Sequence, residues 1–237
     1  MSLCVTIYIP SGVVMASDSR ATMSITNTYD NIITRENHFF DGAQKIFELP
    51  NGFVLSWSGE AIIENEPIDM LIRRFSFEKK LRNLADIRKP ENIEKTEQSI
   101  LDFFCPLIKS NSTEVILAAY PDKTHQTRII TRINLGTQKI ERFSPDDIGM
   151  TFTGVSDYIT KLLYPCKIEV NGKDVLFDMP NVPLNLMTIN DCAEFARFCI
   201  NLTSRTMHFL PVVESVGGPV DILLLTPDGN KWYRRKA

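Results

Sequence analysis

At 237 residues, with 43% hydrophobic and 23% charged positions, the chain has the composition of an ordinary globular protein and can bury a full core. A net charge of −3 gives no reason to expect a nucleic-acid or anionic-membrane partner. No apolar run approaches the ~20 residues of a membrane span, and no basic segment followed by an apolar one opens the chain, so neither a span nor a signal peptide is expected.

Leu3 to Ile9 and Gly12 to Ala16 are short runs rich in Val and Ile, separated by Pro10-Ser11-Gly12, and read as a β-hairpin. The second run ends in a charged cluster, Ser17-Asp18-Ser19-Arg20. Ahead of both stands Ser2, small enough for Met1 to be removed, which would place a hydroxyl and a free α-amine on one residue. A hydroxyl is a poor nucleophile without a base in reach, and an α-amine of pKa roughly 7.7–8.0 is such a base. Taken alone, Ser2 reads as a permissive second residue with no role; only its company at fixed spacing changes that.

The polar stretch Ala21 to Ala43 reads as a β-excursion or loop, either lining a cleft or without a role. Gln44 to Leu49 and Phe53 to Ser58 read as strands joined by Pro50-Asn51-Gly52. Apolar residues at spacings of three and four predict helix over Glu60 to Asn83, with Pro67 as a start or kink, and again over Asn92 to Ile108. Strands are expected at Glu114 to Tyr120, Thr127 to Ile133, Lys139 to Phe143 and Met150 to Thr153. A helix then follows over about Asp157 to Leu163, with Ser156 as a candidate N-cap. Lys167 to Leu186 looks like an insertion: Val170-Asn171-Gly172-Lys173 signals a hairpin, and Pro180 and Pro183 keep the rest extended. Thr188 to Met207 reads as a long helix, and strands at Pro219 to Thr226 and Lys231 to Arg234 close the chain.

This order of strands, two helices, strands, helices and strands suggests an α+β fold of two antiparallel sheets face to face, with helices on both outer sides and no domain boundary. The five cysteines (Cys4, Cys105, Cys166, Cys192, Cys199) include no C-x-x-C. They fit reduced thiols in a cytoplasm, with neither a disulfide frame nor a metal site, and no cofactor is expected.

Four blocks, taken together, resemble the proteasome β-type subunits and the related Anbu peptidases. They are Gly12 to Thr22 (GVVMASDSRAT), Gln44 to Leu49 (QKIFEL), Ser56 to Gly59 (SWSG) and Val216 to Asp221 (VGGPVD). The resemblance spans nearly the whole chain and implies the four-layer αββα sandwich of the N-terminal-nucleophile hydrolases. It implies Ser2 as nucleophile where the family has Thr, Lys45 as the cation beside it and Asp18 as the partner of that lysine. Gly59 becomes the backbone donor to the oxyanion, and Ser156 and Ser215 fall in the family's two Ser/Gly segments near the amine. The acidic residue that the family places before its C-terminal block falls on Val213, next to Glu214. A peptide or unfolded-protein substrate and a homo-oligomeric assembly are also implied.

Three functional classes stay open: a peptidase of the threonine type that uses serine, a silent subunit of such an assembly that keeps Met1, and a small-molecule amidase of the same superfamily. Cys4 as nucleophile would need processing between Leu3 and Cys4.

Overall fold

The computed structural model describes residues 2–29, 32–84, 86–121, 128–177 and 181–236, so the expected removal of Met1 and the expected roles of Thr127 and Pro180 lie outside the described residues. The chain opens with β1 (Leu3–Ile9) and β2 (Gly12–Ser17), followed by β3 (Ala21–Tyr29), β4 (Ile32–Phe40), β5 (Ile46–Glu48) and β6 (Val54–Ser58). Two very short strands, β7 (Ile62–Ile63) and β8 (Glu66–Pro67), precede α1 (Ile68–Glu78) and α2 (Pro90–Phe104). Next come β9 (Glu114–Ala119), β10 (Ile129–Asn134), β11 (Lys139–Arg142), β12 (Gly149–Gly154) and α3 (Asp157–Leu163). The chain ends with the hairpin β13 (Cys166–Val170) and β14 (Lys173–Phe177), then α4 (Ile189–His208), β15 (Asp221–Thr226) and β16 (Gly229–Arg234).

Two antiparallel sheets carry the structure, in the strand orders β12-β1-β2-β15-β16 and β11-β10-β9-β6-β5. The fold is mixed α+β. Strands β1 and β2 are buried along their whole length, which is why both read as unbroken apolar runs. Their alternate residues serve different clusters. Leu3, Val5, Ile7 and Ile9 pack with Ala193, Ala196 and Ile200 of α4. Tyr8, Val13 and Met15 pack with Ile46, Val54 and Ile116 from the other sheet. On that second sheet Leu55, Trp57 and Leu117 turn the other way, onto Leu71, Phe75, Ile100 and Phe104 of α1 and α2. Among the described residues no helix is long and apolar enough to cross a membrane.

Local chemistry sets the helix boundaries. Pro90 occupies the first turn of α2, where its missing N–H leaves nothing unsatisfied. Thr188 opens α4 with a reciprocal cap: its hydroxyl accepts from Asp191 N at 3.2 Å, and its own N–H donates to Asp191 Oδ2 at 2.9 Å. The helix expected from Glu60 starts only at Ile68. Ile62 and Ile63 sit in a tight strand pair whose turn residues, Glu64 and Asn65, take φ of 50° and 66°. The Ala21 to Ala43 excursion is a β-hairpin that pairs with itself. The Lys167 to Leu186 stretch contains the expected hairpin, with Val170 opposite Lys173. Its far end is core, because Leu184 is buried in the cluster that includes α4.

Candidate active site

The site is assembled where β1, β2 and the 45–46 segment meet the loop before β15. Asp18 follows β2 directly and is fully buried. Its Oδ1 accepts from Lys45 Nζ at 2.7 Å and from the backbone N–H of Leu3 at 3.0 Å. Its Oδ2 accepts from the N–H groups of Arg20 and Gly217, both at 3.1 Å. A carboxylate with one cation and three backbone donors is fully satisfied as an anion, which is how a buried charge is tolerated. Lys45 is 3% exposed, and its second partner is the Arg20 carbonyl at 2.7 Å. The pair is thereby tied to Leu3, the residue next to Ser2.

Ser2 is itself buried, and β12 holds it from the other side. Its carbonyl accepts from Val155 N at 2.8 Å. Gly154 lies so close that a Cβ there would come 1.9 Å from the Ser2 oxygen. Only glycine fits this point, where φ is +85°. Ser2 and Gly59 line two neighbouring chambers, one of about 710 Å³ and one of about 200 Å³. Ala21 and Thr22, at the base of the β3–β4 hairpin, line the smaller one. Gly59 closes β6 at φ +138°, with its Cα against the buried Thr113.

The two further serines stand differently. Ser215 is buried, and its Oγ has no hydrogen-bond partner among the described residues. Ser215 lies two residues from Gly217, which binds Asp18. Ser156 occupies the N-cap position of α3, but its side chain makes no capping bond, and it lines neither chamber. Val213 lines the larger chamber. The neighbouring Glu214 turns to Arg20 Nη1 at 3.3 Å and His208 Nδ1 at 3.0 Å. No family model matches the chain, and no curated protein matches it.

Cys4 is buried one residue beyond Leu3, and its Sγ donates to the Trp57 carbonyl at 3.3 Å. Burial pushes its thiol up to about 12, so at neutral pH it stays protonated and is a poor nucleophile. Two contributors escaped the sequence reading. The Arg20 carbonyl holds Lys45, a backbone role that no residue type announces. The Arg20 guanidinium also binds Asp41 through two contacts, at 2.7 and 2.8 Å, joining the end of the β3–β4 hairpin to the segment around Glu214. The signal available for it was the charged cluster at the end of β2.

Proposed function

We propose that the chain is an N-terminal-nucleophile hydrolase resembling proteasome β-type subunits, which cleaves peptide or amide bonds with Ser2 once Met1 is removed. The observation that carries this reading is the buried Asp18–Lys45 pair, bonded to the backbone beside Ser2, with Ser2 and Gly59 on the wall of the same chambers. The three apolar clusters, one between the sheets and one under each helix pair, support an αββα sandwich. A cytoplasmic location and a homo-oligomer belong to the same reading. Ile168, Val170 and Val175, exposed on the β13–β14 hairpin, support self-association.

In this mechanism the freed α-amine takes the Ser2 hydroxyl proton, directly or through a water, as Oγ attacks the carbonyl carbon. Lys45 as a neighbouring cation disfavours protonation of that amine and favours the developing alkoxide. The Gly59 N–H donates to the oxyanion, and the amine proton passes to the leaving nitrogen. Water then hydrolyses the ester on Ser2.

One observation favours a second reading, a catalytically silent assembly subunit. Val213 stands where the resemblance implies an acid, and the Glu214 carboxylate is engaged by Arg20 and His208. Intact-mass measurement on purified protein separates the two. The hydrolase reading expects loss of Met1 together with peptide turnover that disappears in Ser2→Ala. Retention of Met1 in material that turns peptides over would eliminate the amine as base.

A further inference from the structure

The block from Val216 to Asp221 ends in a carboxylate that the catalytic reading does not use. Asp221 opens β15 and is 1% exposed. Among the described residues both of its oxygens have the same partner, Lys236, just beyond β16. The Lys236 backbone N–H donates to Oδ1 at 2.7 Å, and its Nζ donates to Oδ2 at 2.8 Å. An ammonium carries three N–H donors. Here the other two go to the Ser19 hydroxyl oxygen at 3.2 Å and the Ala43 carbonyl at 2.6 Å, so none is left over. Strand β16 is bulged shortly before this point. The partners of Leu223 and Ile222 are Trp232 and Arg234, which makes Tyr233 the extra residue, and a bulge of this kind re-aims the chain that follows.

The three acceptors of this ammonium belong to the three segments that build the Asp18–Lys45 pair. Ser19 lies between Asp18 and Arg20, and the N–H and carbonyl of Arg20 bind Asp18 and Lys45 in turn. Ala43 stands two residues before Lys45. Asp221 sits opposite Ser17 in the β2–β15 ladder and follows Gly217, whose N–H donates to Asp18. The segments also bond to one another beside Lys236. Ala43 N–H donates to the Ser19 carbonyl at 2.9 Å, and Ser19 N–H donates to the Gly217 carbonyl at 3.0 Å. The Ser19 hydroxyl donates to the Pro219 carbonyl at 2.6 Å. An ion pair that only neutralised Asp221 would need none of the contacts to Ser19 and Ala43. We infer that Lys236 is a positioning residue, which fixes the separation of Asp18 and Lys45 from behind the site. It touches no substrate, since none of Ser19, Ala43, Asp221 and Lys236 lines either chamber. Misplacing a catalytic group by about 1 Å can lower a rate by about 10²-fold, so such a latch bears on turnover. This assignment rests on the hydrolase reading of Ser2 and adds to it the residue that holds its charge pair in place.

The test uses two variants and two readouts. Lys236→Met keeps most of the stem and removes the ammonium. For a cleaved peptide, kcat should fall about ten- to a hundredfold while KM stays within about twofold, because the chamber walls are untouched. Adding Asp221→Asn removes the buried charge left unpaired, and the amide oxygen still accepts the N–H of residue 236. In denaturant unfolding this double variant should be more stable than Lys236→Met alone, with kcat still low, which separates positioning from loss of fold. The second readout needs no turnover. In protein labelled with 15N at lysine Nζ, Lys45 should give an ammonium signal, identified by its loss in Lys45→Arg, that moves in the folded double variant. Cleavage with kcat unchanged in that variant, or with the Lys45 signal unmoved, would overturn the positioning role and leave the hydrolase reading standing. A moved Lys45 signal in protein that cleaves no peptide would remove the hydrolase reading and keep Lys236 as the latch of the pair. An unmoved signal without cleavage overturns both.

Discussion

Lys45→Ala is expected to lower peptide turnover by about 10²- to 10⁴-fold, the range typical of removing a group that manages proton transfer. The lysine is 3% exposed, and both its contacts, to Asp18 Oδ1 and the Arg20 carbonyl, are 2.7 Å long. Truncation therefore does more than silence a site. It leaves the fully buried Asp18 carboxylate without its cation, a change that costs about 3–5 kcal/mol at buried pairs. Three backbone N–H groups stay on that carboxylate and hold the loss to the lower end. Adding Asp18→Asn to Lys45→Ala removes the unpaired charge but turns an amide NH2 onto backbone N–H groups that the carboxylate had accepted, so it should restore neither full stability in denaturant unfolding nor turnover. Lys45→Arg should fail too, since a planar fork does not fit two contacts made by one point charge. Wild-type turnover in either single variant would place Lys45 outside the chemistry.

Gly59→Ala is the second large effect. The backbone there takes φ +138°, and a Cβ would come 2.6 Å from Thr113 Oγ1 and 2.8 Å from its Cγ2. Thr113 is fully buried and cannot swing away. The substitution forces the end of β6 to move, which costs of order 1–3 kcal/mol of stability. On the proposed mechanism it also displaces the N–H that donates to the oxyanion, and losing one such donor lowers kcat by about 10²- to 10³-fold. Thr113→Ala in the same chain removes the two nearest contacts but keeps a Cβ 2.9 Å away, so it should restore only a small part of the stability. Turnover should remain low, because the strained φ is still imposed on alanine. Normal kinetics in Gly59→Ala would mean that its N–H is not the oxyanion donor.

How far the sequence could be read depended on where each signal resides. The β1–β2 hairpin was legible because its strands are buried on both faces and its turn carries Pro-Ser-Gly. Helix α4 was legible to within a residue because Thr188 and Asp191 form its cap. Ile62 and Ile63 misled, since two apolar residues ahead of Pro67 fit a helical spacing as well as a two-residue strand. Only the left-handed turn at Glu64 and Asn65 decides between them. In the site, Asp18 and Lys45 were readable as a charge pair, and the structure brings them together. The Arg20 carbonyl was not readable, because every residue type has one.

The central claim is that residue 2 carries an activated hydroxyl and a free amine together. A peptide epoxyketone tests both at once: the hydroxyl adds to its ketone, and the amine then opens the epoxide to close a ring. Peptide mapping of treated protein should find the doubly linked adduct on Ser2, absent in Ser2→Ala and retained in Ser2→Thr. An adduct on Cys4 or any other residue, or no adduct on protein that has lost Met1, would contradict the account.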